Sequence, residues 1–134
     1  MKSTTRTART PAPAATPSFA QIISLGIEMA EERMERLISI SIDDDEWDYS
    51  GDNVVCSIRL ALDGLRRLRD MSFADYIEFV CRWSGITGVI ELCCLTFKHP
   101  ETRFGRLLTD LHHLLDQTSS MVEHLDEANR AQAK

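Results

Sequence analysis

The sequence is poor in the residue patterns on which most enzymes and secreted domains depend. Four cysteines occur among 134 residues, and no two have the C-x-x-C spacing of a structural zinc site. No glycine-rich phosphate loop is present, because Gly85 and Gly88 lie in an apolar stretch and no lysine follows them. We therefore expect no metal, no nucleotide or other cofactor, and no catalytic activity.

Long uninterrupted hydrophobic runs are also missing. The longest mainly apolar stretch, 76–97, is interrupted by three charged residues: Glu78, Arg82 and Glu91. This interruption favours a buried helix over a membrane span. Residues 1–17 lack the apolar segment of a secretory signal, and adjacent Cys93 and Cys94 suit free thiols better than a disulfide. The sequence thus predicts a cytoplasmic protein without membrane contact.

Charge is abundant and unevenly distributed. Ten of the 21 acidic residues lie within 28–52. Residues 1–17 carry three positive charges and no acid, which leaves −9 on the remainder of a chain whose net charge is −6. This N-terminal segment is rich in Ser, Thr, Ala and Pro, so we predict a disordered basic tail. Residues 18–134 form the predicted single domain, and its negative charge disfavours nucleic acid as a partner.

Hydrophobic periodicity predicts four helices, at about 18–40, 53–71, 73–97 and 100–128. Ser18 and Gln21 have capping-box spacing. The Ile–Ser alternation of 37–43 leaves a short two-strand ribbon with 54–58 as an alternative to a fraying helix end. Asp52 is the expected cap of the second helix, and Pro100 the expected first residue of the fourth. All-α packing into a four-helix bundle follows.

The third predicted helix carries an unbroken heptad seam at Phe79, Trp83, Ile86, Ile90, Cys93 and Phe97. This seam passes through Gly85 and Gly88, so we predict that the helix continues across them and that they permit close approach of another backbone. A kink at the glycines is the alternative.

The fourth helix has a wide apolar face and a predicted length of roughly 40 Å, more than a compact four-helix monomer can cover. We therefore predict a homodimer. The residues predicted to mediate self-association are Leu107, Leu114, Leu115, Met121, Val122 and Leu125.

Carboxylates concentrated on one side of the first helix and in the following loop predict a docking surface for a basic partner protein. Trp47 supplies an aromatic anchor of the kind that interface hot spots contain. The predicted partner-binding residues are Glu28, Glu31, Glu32, Glu35, Asp43, Asp44, Asp45, Glu46, Trp47 and Asp48. The alternative interpretation is a solvated acidic face, with Trp47 folded back on the core.

Two metal sites were weighed and rejected. Aligning Glu46 with the first position of a calcium loop puts Ser57 where a bidentate glutamate is required. Asp110, His113 and Asp116 form a single acid–histidine fragment, whereas a carboxylate-bridged di-iron site draws such motifs from two helices.

Two functions fit these features. The first is a non-enzymatic regulator or inhibitor that docks its acidic face onto a basic protein surface, such as a nucleic-acid-binding groove, as phage anti-defence inhibitors do. The second is an assembly module whose third and fourth helices mediate self-association.

Overall fold

A computed structural model describes residues 18–43, 47, 51–71 and 76–133. It contains four helices: α1 (Phe19–Asp43), α2 (Asp52–Arg69), α3 (Tyr76–Thr96) and α4 (Arg103–Ala133). The described residues include no strand, so the predicted all-α fold is confirmed, and the 37–43 segment continues α1 as helix. The prediction of a disordered tail at 1–17 lies outside the described residues.

The helices form a ring in which each one packs against two neighbours: α1 against α2 and α4, and α3 against α2 and α4. Contacts between α3 and α4 run in opposite chain directions, since Trp83 meets Leu115 while Cys94 meets Leu108. The order is therefore that of an antiparallel bundle with short connections.

The inner face of α3 follows the predicted heptad seam. Its fully buried members include Phe79, Trp83 and Ile90. The Trp83 indole N–H donates to the Leu115 carbonyl oxygen at 2.9 Å, so burial leaves no unsatisfied donor. The same core takes Met34 from α1 and Ile58 from α2.

The predicted start of α1 is confirmed, whereas the predicted start of α4 was wrong by three residues. The Ser18 hydroxyl accepts from the Gln21 N–H at 3.1 Å, and the Gln21 side chain accepts from the Ser18 N–H at 2.8 Å, which confirms the capping box. α4 begins at Arg103, three residues later than predicted, because Thr102 supplies the side-chain cap by accepting from the Gly105 N–H at 3.2 Å. Pro100 lies in the preceding turn.

The predicted cap of α2 was wrong. Gly51 occupies the N-cap position without a side-chain hydrogen bond, and Asp52 is the first helical residue. Packing explains the choice of glycine, since a Cβ at position 51 would lie 2.8 Å from a ring carbon of Trp47. The predicted capping box at Ser72 and Asp75 lies outside the described residues.

α3 continues through Gly85 and Gly88, as predicted, but no neighbour approaches them closely. A Cβ added at either glycine would meet no atom within 4 Å. Close approach instead occurs at Gly26, where a Cβ would lie 2.6 Å from the Thr118 methyl group, and at Gly105 beside the His99 carbonyl. Interhelical contact therefore requires glycine at position 26 of α1, and Gly105 makes room for the turn that precedes α4. Neither reason applies to the α3 glycines.

Candidate functional site

The predicted acidic surface is divided between paired and unpaired carboxylates. Glu31 accepts from Arg66 at 3.2 Å and also pairs with Arg69, while Glu35 accepts from Arg66 at 2.6 Å. These arginines come from α2, so two of the four α1 glutamates join helices within the bundle.

These ion pairs change the ionisation of their members. Hydrogen bonds from Arg69, and then from Arg66, hold the pKa of Glu31 below its usual value, against the opposing effect of partial burial. The same contacts raise the pKa of Arg66 and of Arg69. Glu31 is therefore a fixed carboxylate in a structural cluster.

Arg66 is exposed on α2 and does not pair within that helix. Arg67 does pair with Asp63 along α2 at 3.0 Å, but Arg66 reaches across to α1. The sequence shows glutamates spaced i,i+4 on α1 and arginines at the end of α2. It does not show which glutamate lies opposite which arginine in the folded chain.

Glu28 and Glu32 remain exposed and form no ion pair with any described residue. Arg36 lies one helical turn beyond Glu32 without forming an ion pair with it, so the four glutamates of α1 share this surface with arginines of both α1 and α2. Of the remaining predicted acids, Asp43 ends α1, and its side chain lies outside the described part of the structure. So do the following four: Asp44, Asp45, Glu46 and Asp48.

Trp47 packs against the chain's own core, as the alternative interpretation expected, while its role toward a partner stays a prediction. Its ring stacks on Phe97 at a centroid distance of 6.2 Å and contacts Phe104 edge-on at 4.9 Å. Its indole N–H donates to the Asp52 carboxylate at 2.9 Å. The half-buried ring closes one end of the bundle.

Three of the predicted self-association residues are also used internally. Leu114, Leu115 and Val122 are buried in the chain's own core, because α1 and α3 both pack along α4. They cannot face a second copy while this fold is intact. Met121 is 51% exposed, and Leu107 and Leu125 are partly buried.

The outer face of α3 carries an apolar surface that sequence reasoning missed. Three large side chains there are largely exposed: Ile77 (61%), Leu92 (62%) and Leu95 (75%). Between them lie the smaller Cys81, Ser84, Gly85 and Gly88. The signal was present in the sequence, because these residues fall outside the heptad seam and only Arg82 and Glu91 supply exposed charge along α3.

α3 is also the one described helix that is long and apolar enough to cross a membrane by length and composition. Of the most apolar part of this helix, within Ile77–Thr96, 28% is buried inside the protein. A core helix passes the same test, so this finding identifies an apolar surface without saying what covers it.

The described residues contain no group of three or more potential metal-binding side chains. His112 Nδ1 lies 3.8 Å from Asp116 at the surface, a pairing different from the acid–histidine fragment weighed in the sequence. Burial raises the pKa of Cys93 to about 11 and also raises that of Cys94. Both thiols are held in the protonated form, which is unreactive.

Comparisons of the chain with protein families, with curated proteins and with solved structures gave no match.

Proposed function

We propose that the protein is a non-enzymatic assembly module that self-associates through the outer face of α3. The observation that carries this proposal is the exposure of Ile77, Leu92 and Leu95 on one side of a helix whose other side is already in the core. Exposed apolar surface that contributes nothing to the monomer is typical of an interaction surface.

The sizes of the side chains suit a second copy of the same chain. Large residues stand at both ends of this face, and small residues occupy its middle. Two antiparallel copies related by a twofold axis at the level of residues 86–87 bring Ile77 of each copy opposite Leu95 of the other. Cys81 then meets Leu92, and Gly85 meets Gly88. Such a contact is self-complementary, as twofold interfaces must be.

This arrangement accounts for the presence of Gly85 and Gly88 in α3. Glycine in a helix interior is unfavourable by about 1 kcal/mol relative to alanine, and nothing inside the chain requires Gly85 or Gly88. A second α3 crossing at this point can approach more closely because both positions lack a Cβ.

Measurement of molar mass in solution tests the proposal. We expect the wild-type chain of 15.2 kDa to form a dimer in light scattering, and the pair of substitutions Leu92→Lys and Leu95→Lys to convert it to a monomer. Leu25→Lys is the matched control, because Leu25 is 56% exposed on α1, on another helix. A wild-type chain that stays monomeric at high concentration contradicts the proposal.

A second candidate function is the acidic docking surface, now reduced to its unpaired members. Glu28 and Glu32 are exposed and form no ion pair among the described residues, which leaves both carboxylates accessible to a basic protein surface. We expect a basic partner to be lost from pull-downs with Glu28→Gln and Glu32→Gln combined, and to be retained with Glu123→Gln on α4. Equal recovery with both variants excludes this candidate.

A further inference from the structure

A large apolar side chain of α2 lies beside the apolar face of α3. Leu60 is 73% exposed, and its position follows from its neighbours on α2. Ser57, three residues before it, forms a side-chain hydrogen bond with Cys93 of α3. At Gly64, four residues after it, an added Cβ would lie 3.9 Å from Cγ1 of Ile86. Residues three and four apart share one side of a helix, so Leu60 lies on the flank of α2 that faces α3.

The same two contacts set the level of Leu60 along α3. The helices run in opposite directions, so position 57 is level with position 93 and position 64 with position 86. Leu60 is therefore level with position 90 of α3. The apolar side chains outside the core nearest to that level are Val89, which is half-buried, and Leu92, which is 62% exposed. Leu60, Val89 and Leu92 thus form one apolar surface across the α2–α3 edge.

The opposite flank of α3 borders a polar part of α4. The carbonyl oxygens of Leu108 and Leu115 accept hydrogen bonds from α3, so this side of α4 faces α3. His112 lies between those two positions and pairs with the exposed Asp116 at 3.8 Å, and Ser119 follows one turn after Leu115. The apolar face of α3 is therefore continued by α2 and ends at α4.

The size of a stable dimer interface requires more than one helix. Stable interfaces use about 20–30 residues from each partner, whereas α3 has 21 residues and already buries its inner side in the core. We propose that a second copy of the chain covers α3 and the adjoining flank of α2 together, with Leu60 inside the interface. This inference rests on the proposed self-association and assigns a second helix to it.

Leu60 lies close to the centre of that interface. In the twofold arrangement about residues 86–87, its level at position 90 is about 5 Å from the axis along the helix, at roughly 1.5 Å per residue. Ile77 and Leu95 lie more than about 12 Å from the axis by the same measure. Residues that contribute most to binding concentrate near the centre of an interface. Leu60 should therefore contribute more to association than Ile77 or Leu95.

Sedimentation equilibrium of the full-length chain over a range of concentrations tests this inference. We expect Leu60→Lys to raise the dissociation constant of the dimer about tenfold or more, because a charge would enter the centre of the interface. The folded monomer should be unaffected, since position 60 is exposed and lysine is a good helix former. Circular dichroism and the urea midpoint at low protein concentration check that Leu60→Lys still folds.

The matched control is Leu25→Lys, the same change at an exposed leucine of α1, which is expected to leave the dissociation constant unchanged. An unchanged dissociation constant in Leu60→Lys, with dimerisation still lost on combining Leu92→Lys and Leu95→Lys, would overturn the inference and leave the proposed self-association standing. Equal weakening by Leu60→Lys and Leu25→Lys would overturn it as well, because the added charge alone would then explain the effect. A wild-type chain that stays monomeric at high concentration would overturn both proposals.

Discussion

α1 and α3 lie diagonally across the bundle and differ on their outer sides. Both bury an apolar inner face in the same core, with Met34 on α1 and Trp83 on α3 almost completely enclosed. The outer side of α1 is acidic, and ion pairs to Arg66 and Arg69 of α2 stabilise its packing. The outer side of α3 is largely apolar and carries two glycines at which an added Cβ would meet no described atom within 4 Å.

This difference separates residues that the monomer needs from residues that it does not use. Two polar groups of α1, Glu31 and Glu35, serve the α1–α2 contact. The exposed apolar groups of α3 serve no such contact, which is why α3 rather than α4 becomes the proposed interface. Comparing substitutions on the two helices can therefore distinguish folding from association.

The largest effects are expected on the inner faces, where α1 and α3 should behave alike. Met34→Ala and Trp83→Leu each remove a large buried side chain, and each should lower the free energy of unfolding by about 3 kcal/mol because a cavity remains. Urea denaturation followed by circular dichroism measures both. Leu95→Ala is the control, since Leu95 is 75% exposed, and should stay within about 0.5 kcal/mol of wild type in the monomer.

The comparison would fail if Leu95→Ala were as destabilising as Trp83→Leu at protein concentrations where the chain is monomeric. The outer face of α3 would then belong to the core of the single chain, and no surface would remain for a second copy.

Much of this inner architecture could be predicted from sequence. The heptad spacing from Phe79 to Phe97 identified the buried side of α3, and Ser18 with Gln21 marked the start of α1, because both signals are local. The start of α4 was misplaced because Pro100 and Thr102 both carry N-terminal helix signals, and only Thr102 forms a side-chain cap.

Glycine substitutions should give the next largest effect, with opposite signs on the two helices. In Gly26→Ala, the new Cβ would lie 2.6 Å from Thr118 Cγ2, so repacking strain should exceed the gain in helix propensity and give a net loss of about 1 kcal/mol. In Gly85→Ala nothing is met within 4 Å, and the monomer should gain up to about 1 kcal/mol.

Thermal and urea unfolding at low protein concentration measure the direction of the stability change in both variants. If Gly85→Ala destabilised the monomer, a neighbour of α3 within the chain would be implied. If it stabilised the monomer while weakening the dimer, the close crossing of two α3 helices would be supported.

The site was harder to predict than the fold, because its features depend on contacts between distant parts of the chain. Glu31 and Arg66 are separated by 35 residues, and nothing local indicates that α2 is placed so that Arg66 faces α1. The packing of Trp47 is non-local for the same reason, since the rings that it contacts belong to Phe97, just after α3, and to Phe104 of α4. Composition identifies such groups but not their neighbours.

The smallest effect is expected at Glu31, and its pH dependence distinguishes a structural carboxylate from a docking one. Hydrogen bonds from Arg69 and Arg66 lower its pKa in the folded state, so its contribution to stability is fully present above the ordinary carboxyl pKa and is lost as pH falls through the lowered value. Glu31→Gln should therefore destabilise the protein near neutral pH, by no more than about 1 kcal/mol for a surface pair screened by solvent. The difference from wild type should begin to shrink as pH falls through the ordinary carboxyl pKa, about 4.3, and should disappear below the lowered pKa of the folded state. Glu28→Gln, which breaks no ion pair among the described residues, should show neither effect. Urea midpoints measured across this pH range test both variants. A pH-dependent loss of stability with Glu28→Gln would show that Glu28 is also paired within the folded chain. Glu28 would then not be a free docking group.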